Sequence, residues 1–342
     1  MRRRTVTARS AAALLATTLV LAGCGSDDGS DDPASSAPDA QNVAAGAEIK
    51  ATWPLTGLPV TGDDEAAQKH PVMVLKMDNT HASAPQVGLG SADMVVEELV
   101  EGGLTRLAAF YYSTIPGDVG PARSMRASDI GIVSPVKGTM VTSGAAQVTI
   151  NRIDNAGIPY FTEGDKGFYR DSSRSAPYNL FTNMSETATL VDQDGAERPD
   201  DYLPWGDDKD FPQGQPARTL AASFSGGHTT NWTFKGGTYV NENTYAAAGD
   251  EFPADTVLVL RVRVGDAGYR DPAGNPVPET QFTGKGQALI FHDGRLVRAQ
   301  WTKESLDAGL TLSTPAGALT VPAGHTWIEL VPQDGGSVTI GK

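Results

Sequence analysis

The 342-residue chain contains one cysteine, Cys24, and five histidines. A single thiol excludes an internal disulfide and any cysteine-built metal site. His70, His81, His228, His292 and His325 are scattered, and no two stand at the spacing of a helix-borne zinc pair, so neither a metal nor a cofactor is expected. Basic charge is scarce as well: 27 Lys and Arg stand against 41 Asp and Glu, a formal net charge of −14. Such a surface repels phosphate backbones, which excludes nucleic acid as the partner. The apolar stretch near the start, Ala11 to Leu21, is eleven residues long. A helix that crosses a hydrocarbon core needs roughly twenty, so a retained transmembrane anchor is not expected.

The start of the chain has a different logic. Arg2, Arg3, Arg4 and Arg9 precede that apolar stretch, and small residues lead to Cys24. This is the three-part layout of a secretory signal, assigned to residues 1–23. Leu21-Ala22-Gly23-Cys24 resembles the bacterial lipobox, which implies a diacylglyceryl thioether on Cys24 and acyl chains such as palmitate on the mature N-terminus. Two or three acyl chains, at about 0.8 kcal/mol per buried methylene, hold a protein stably at a bilayer. Ordinary secretion with an incidental cysteine is the alternative. Loss of the signal removes four basic residues and no acidic one, leaving 23 against 41 and a formal charge of −18. The expected location is the extracytoplasmic face of the cell membrane, with the lipid anchor as one partner.

Residues 24–50 are Gly, Ser, Asp, Ala and Pro with almost no large apolar residue, the composition of a disordered tether. Beyond it a mixed α/β domain is expected over 51–203. Pro71 to Met77 reads as a buried strand ending in the turn signal Asp78-Asn79. Met94 to Val100 and Leu104 to Ser113 read as a hairpin around Glu101-Gly102-Gly103. Ala127 to Val136 and Val148 to Ala156 have helical spacing, with a strand at Thr139 to Thr142 between them. The Pro, Gly and Asp density of 204–216 marks a linker, and 217–342 reads as a smaller, mainly β domain. Strands are expected at Val257 to Val264 and on both sides of His292-Asp293-Gly294-Arg295, with the last at Thr326 to Val331. The fold class is therefore α+β or α/β in two domains.

Six of the thirteen arginines of the mature chain fall between positions 106 and 174: Arg106, Arg123, Arg126, Arg152, Arg170 and Arg174. That window carries eight basic residues against six acidic ones within a chain of −18. The planar guanidinium matches carboxylate and phosphate in bidentate fashion, so a converging set points to an anionic ligand. The candidate site is Arg106, Arg123, Ser124, Arg126, Arg170 and Arg174 with Asp78 and Glu97. Free N–H groups at the helix start that follows Gly120-Pro121-Ala122-Arg123-Ser124-Met125-Arg126 would assist. A structural ion network with the nearby acids, among them Glu98 and Glu101, explains the same residues equally well. Glu97 and Glu98 are strand neighbours pointing to opposite faces, so only one can share a face with Arg106. Ser143-Gly144 lacks the glycine-serine-glycine elbow and reads as a turn, and Asp78-Asn79 reads as an Asx turn before a magnesium ligand.

Six segments together resemble the YerB-like lipoprotein family of bacterial envelopes: VMVLKMDN (72–79), APQVGLGSAD (84–93), VEGGLTR (100–106), GPARSMR (120–126), RDSSRSAPYNL (170–180) and GHTWIELVP (324–332). The likeness runs from Trp53 to Pro332. It implies a domain of unknown function in distinct N- and C-terminal halves, and it carries over no catalytic residue.

Three functions follow from these residues. The preferred one is a tethered protein whose arginine-lined cleft binds an anionic envelope polymer or lipid-linked precursor. The second is an envelope enzyme of phosphoryl or glycan-phosphate transfer, and the third is a protein-interaction scaffold with structural arginines. An enzyme is the less favoured expectation, and oligomeric state is not legible.

Overall fold

The computed structural model describes residues 52–61, 70–191 and 198–342. The signal segment, Cys24 and the tether lie outside them. Among the described residues strand makes up 44% and helix 12%, so the mixed α/β expectation for the N-terminal half is corrected toward sheet. Among the described residues no helix is long and apolar enough to cross a membrane.

The strands that matter are β1 (Met73–Asp78), β2 (Met94–Leu99), β3 (Thr105–Tyr111), β4 (Thr139–Val141), β5 (Tyr160–Phe161), β6 (Thr219–Ser223), β7 (Thr229–Lys235), β8 (Thr238–Asn241), β9 (Thr256–Arg270), β10 (Pro276–Gln281), β11 (Gly284–His292), β12 (Arg295–Lys303), β13 (Thr311–Thr314), β14 (Gly317–Leu319), β15 (Thr326–Pro332) and β16 (Ser337–Gly341). The helices are short: α1 (Asp129–Val133), α2 (Gln147–Asn155) and α3 (Met184–Ala188). The main sheet runs β14-β13-β12-β11-β9-β15-β2-β3-β1-β4-β5, and β8-β7-β6-β16 forms a second sheet.

β15 explains how the halves join. It pairs in parallel with β9 on one side and β2 on the other, with Glu329 opposite Val259 and Glu97. A C-terminal strand thus completes the N-terminal half of the sheet. All seven of its residues are buried, as expected for a strand covered on both faces. Ile328 and Leu330 enter one core layer with Val96, Phe110 and Ile132, while Trp327 and Val331 enter the other with Val95, Leu220 and Trp232.

Two expectations change here. Residues 204–216 do not separate independent bodies: Trp205–Gly206 pairs with Val321–Pro322, and Gln215–Pro216 pairs with the start of β12. Composition registers breaks in regular structure, but not the hydrogen bonds that cross them. The last strand is β16, whose alternating Ser-Val-Thr-Ile-Gly pattern adds to the second sheet beside β6.

Turn chemistry is as expected. Asp293 and Gly294 join β11 to β12 with φ of 46° and 69°, the left-handed pair that matches the strand twist of a tight hairpin. Gly102 and Gly103 (φ 73° and 72°) join β2 to β3. A Cβ on Gly103 would also meet Ser225 Oγ at 2.9 Å, so the turn is closely packed against the β6–β7 hairpin.

Candidate functional site

Alternation along β1, β2 and β3 sorts their charged residues between two faces. Lys76, Asp78, Glu98 and Arg106 share the face that carries α1, and Arg106 lies opposite both Glu98 and Asp78 in register. Glu97 lies on the reverse face, toward the second sheet.

On the α1 face, Lys76 Nζ donates to Glu98 at 2.5 Å and to Asp129 at 2.7 Å, with all three side chains fully buried. Asp129, at the start of α1, also accepts the Arg126 backbone N–H at 2.6 Å. Beyond the strand ends, Glu101 bridges Arg106 (3.2 Å) and Arg126, whose Nε is 2.9 Å from the second carboxylate oxygen. Arg106 and Arg126 also donate to the carbonyls of Ser124 and Met125, at 2.7 and 2.8 Å. Burial, with Arg126 alongside, lowers the Arg106 guanidinium to about 10. Burial would raise Glu101, but the hydrogen bond from Arg126 and the charges of both arginines hold it below the usual range.

Arg123 is held differently. Its Nε meets Asp78 at 3.2 Å, and its guanidinium lies 5.1 Å from the centre of the Tyr178 ring. Its Nη1 is buried and has no acceptor. Asp78 is the expected Asx turn, accepting the Thr80 N–H at 3.0 Å and its hydroxyl at 2.5 Å. The Arg123–Met125 segment runs beside the β4–α2 loop: Ser143 N–H donates to Arg123 O, Met125 N–H donates to Gly144 O, and the Ser124 and Ser143 hydroxyls stand 3.3 Å apart. β1, β4 and β5 are parallel, and α2, which no side chain caps, follows the loop. The crevice beyond the carboxyl ends of parallel strands is where open sheets carrying helices hold their ligands.

The structure therefore brings Asp78, Arg106, Arg123, Ser124 and Arg126 together and leaves three expected members elsewhere. Arg170 forms a bidentate pair with exposed Glu163, both contacts at 2.5 Å. Arg174 is tied to Asp171, to the carbonyls of Ser83 and Pro85, and to the face of Phe181. Glu97 is turned away because strand alternation gives the arginine face to Glu98. Every gathered arginine also has a carboxylate partner, so ion-network pairing and convergence both occur.

Glu97 belongs to a second buried system. Its Oε1 accepts from Asn79 (3.0 Å), Thr105 (2.7 Å), His228 (2.8 Å) and Thr230 (3.1 Å). Glu329, its register partner, accepts from Trp232 Nε1 at 2.7 Å, while its other oxygen has no donor. Burial, then the negative charge of Glu97, pushes Glu329 well above the carboxylate range. Burial would raise Glu97 too, but the His228 bond and charge bring it below the usual value. Sequence reasoning missed Lys76, His228 and Glu329. The available signal was one charge inside an otherwise apolar strand, Lys76 in PVMVLKM and Glu329 in TWIELVP.

The fold and this pair of buried ionic systems define a β-rich protein in two interlocked halves. Residues 55–197 match the "Protein of unknown function (DUF3048) N-terminal domain" and residues 220–328 its C-terminal domain. The chain belongs to this YerB-like family. It is 24% identical over 302 residues to the Bacillus subtilis (strain 168) protein named "Putative lipoprotein YerB", covering 84% of this chain and 89% of that one. The crystal structure of YerB protein from Bacillus subtilis matches with a TM-score of 0.70 at 20% identity, over 85% of this chain and all of the other, a likeness of fold.

Proposed function

We propose that the protein is an extracytoplasmic lipoprotein, tethered through Cys24, that binds an anionic group of an envelope polymer or lipid-linked precursor at Arg123. The observation that carries this reading is the buried, acceptor-less Nη1 of Arg123, which stands beside Asp78 at the carboxyl end of β1, the strand parallel to β4. Arg106 and Arg126 are already engaged by Glu101 and serve there as electrostatic backing. The Ser124 and Ser143 hydroxyls supply neutral donors. The lipid anchor rests on the lipobox resemblance and agrees with the name of the Bacillus relative.

Titration of the mature chain with pyrophosphate, and separately with a phosphate-bearing wall polymer, tests this. A charge-assisted hydrogen bond contributes about 1.5–3 kcal/mol, so Arg123→Ala is expected to weaken binding roughly tenfold to a hundredfold. Arg123→Lys should recover part of the loss, and Arg170→Ala should change nothing. Equal affinity for wild type and Arg123→Ala refutes the reading.

A further inference from the structure

Two contacts attach the tip of the β6–β7 hairpin to the main sheet. Ser225 Oγ donates to Gly103 O at 2.6 Å in the β2–β3 turn, and His228 Nε2 meets Glu97 at 2.8 Å. The hairpin is closed on itself by Phe224 N–H to His228 O and by Gly227 N–H to Ser225 Oγ. His228 is 9% exposed, so its ring lies at the boundary between the sheets and solvent while Glu97 lies wholly inside.

We infer that the His228–Glu97 contact is a pH-operated clamp that fastens the second sheet to β2, next to the β2–β3 turn. With the imidazole protonated, the clamp is an ion pair. With it neutral, the contact falls to an uncharged hydrogen bond, one of several to a carboxylate whose other donors, Asn79, Thr105 and Thr230, are all neutral. The titratable groups facing His228 are Glu97 on β2 and, behind it, Glu329 on β15. Glu101, in the turn alongside, is committed to Arg106 and Arg126. The hairpin itself contributes only Ser225, Gly226, Gly227 and Thr229, none of them charged. Burial of the ring works against its charge, but the hydrogen bond to Glu97 and the negative charge of Glu97 together outweigh it and raise the imidazole above its usual 6.5. A raised pKa adds stability that is complete below about 6.5 and is lost as pH rises through the folded value. The clamp therefore closes on acidification and slackens toward alkaline pH. The clamp stands independently of any ligand bound at Arg123.

The test uses the mature chain. Imidazole resonances followed by NMR, with His228 assigned from His228→Gln, are expected to show His228 titrating above about 6.5; Glu97→Gln should bring it below that value. Hydrogen exchange of residues 101–104 and 224–229, corrected for intrinsic rate, should be up to about tenfold faster near pH 8.5 than near pH 5.5. In His228→Gln that difference should vanish. His228 titrating at or below the usual value, or pH-dependent exchange persisting in His228→Gln, overturns the inference.

Discussion

Residues 50–216 produced without the rest of the chain are expected to be aggregated or molten, with no cooperative melting and no fixed near-UV circular dichroism. Removing residues 217–342 takes away β15 and leaves β2 (Met94–Leu99) as an open edge. Its apolar residues Met94, Val95 and Val96 would then flank an unpaired ladder, the arrangement most prone to edge-to-edge association. The loss within the core is comparable to the whole stability of a domain. Trp327, Ile328, Leu330 and Val331 are each at most 1% exposed. At about 1.5–3 kcal/mol per buried large apolar side chain, these four contribute roughly 6–12 kcal/mol, against a typical total of about 5–15. Glu97 would also lose His228 and Thr230, its partners from the second sheet. Co-expression of 217–342 should restore soluble, cooperatively melting protein. A monomeric 50–216 fragment that melts cooperatively would show that the shared strand is dispensable.

That interdependence marks where sequence reasoning stopped. Local elements were legible because their signals are local. Pro71 to Met77 is an apolar run, Asp293-Gly294 is a left-handed turn pair, and the Gly102-Gly103 reversal and the helix at Val148 to Ala156 lie where spacing puts them. The alternation of Glu97 and Glu98 was likewise readable and sorts the two polar systems correctly. The partner of β2 was not readable, because a parallel neighbour more than two hundred residues away leaves no mark on the strand it pairs with. The arginines show the same limit. Their clustering in sequence predicted a cluster in space for Arg106, Arg123 and Arg126, which flank adjoining strand ends. Arg170 and Arg174 do not join them in sharing Glu101 or Asp78, because each finds an acid of its own in Glu163 and Asp171.

The lysine inside β1 is expected to be among the most sensitive positions in the protein. Lys76→Met keeps the aliphatic stem but removes the ammonium bonded to Glu98 and Asp129. Breaking a buried ion pair from one side costs about 3–5 kcal/mol, because the remaining charge is stranded out of water. Here two carboxyls are stranded, and at about 2–4 °C per kcal/mol the melting temperature should fall by roughly 6–20 °C. The partners are unequal. Asp129 retains the Arg126 N–H, whereas one Glu98 oxygen already lacks a donor. Glu98 is raised above the usual carboxylate range by burial, with Asp129 adding to the shift and Lys76 opposing it. A raised carboxyl adds stability below its unfolded value, near 4.5, that is lost as pH rises through the folded value. The deficit of Lys76→Met should therefore shrink as pH falls from about 7 toward 5. Adding Glu98→Gln to Lys76→Met should recover a large part of it at pH 7, since the amide carries no charge to strand. Urea melts of the single and double variants at the two pH values decide the matter. A Lys76→Met loss below about 1 kcal/mol, the scale of an exposed pair, would mean that the three side chains are not the coupled, water-free unit that fixes α1, and with it Arg126, against the sheet.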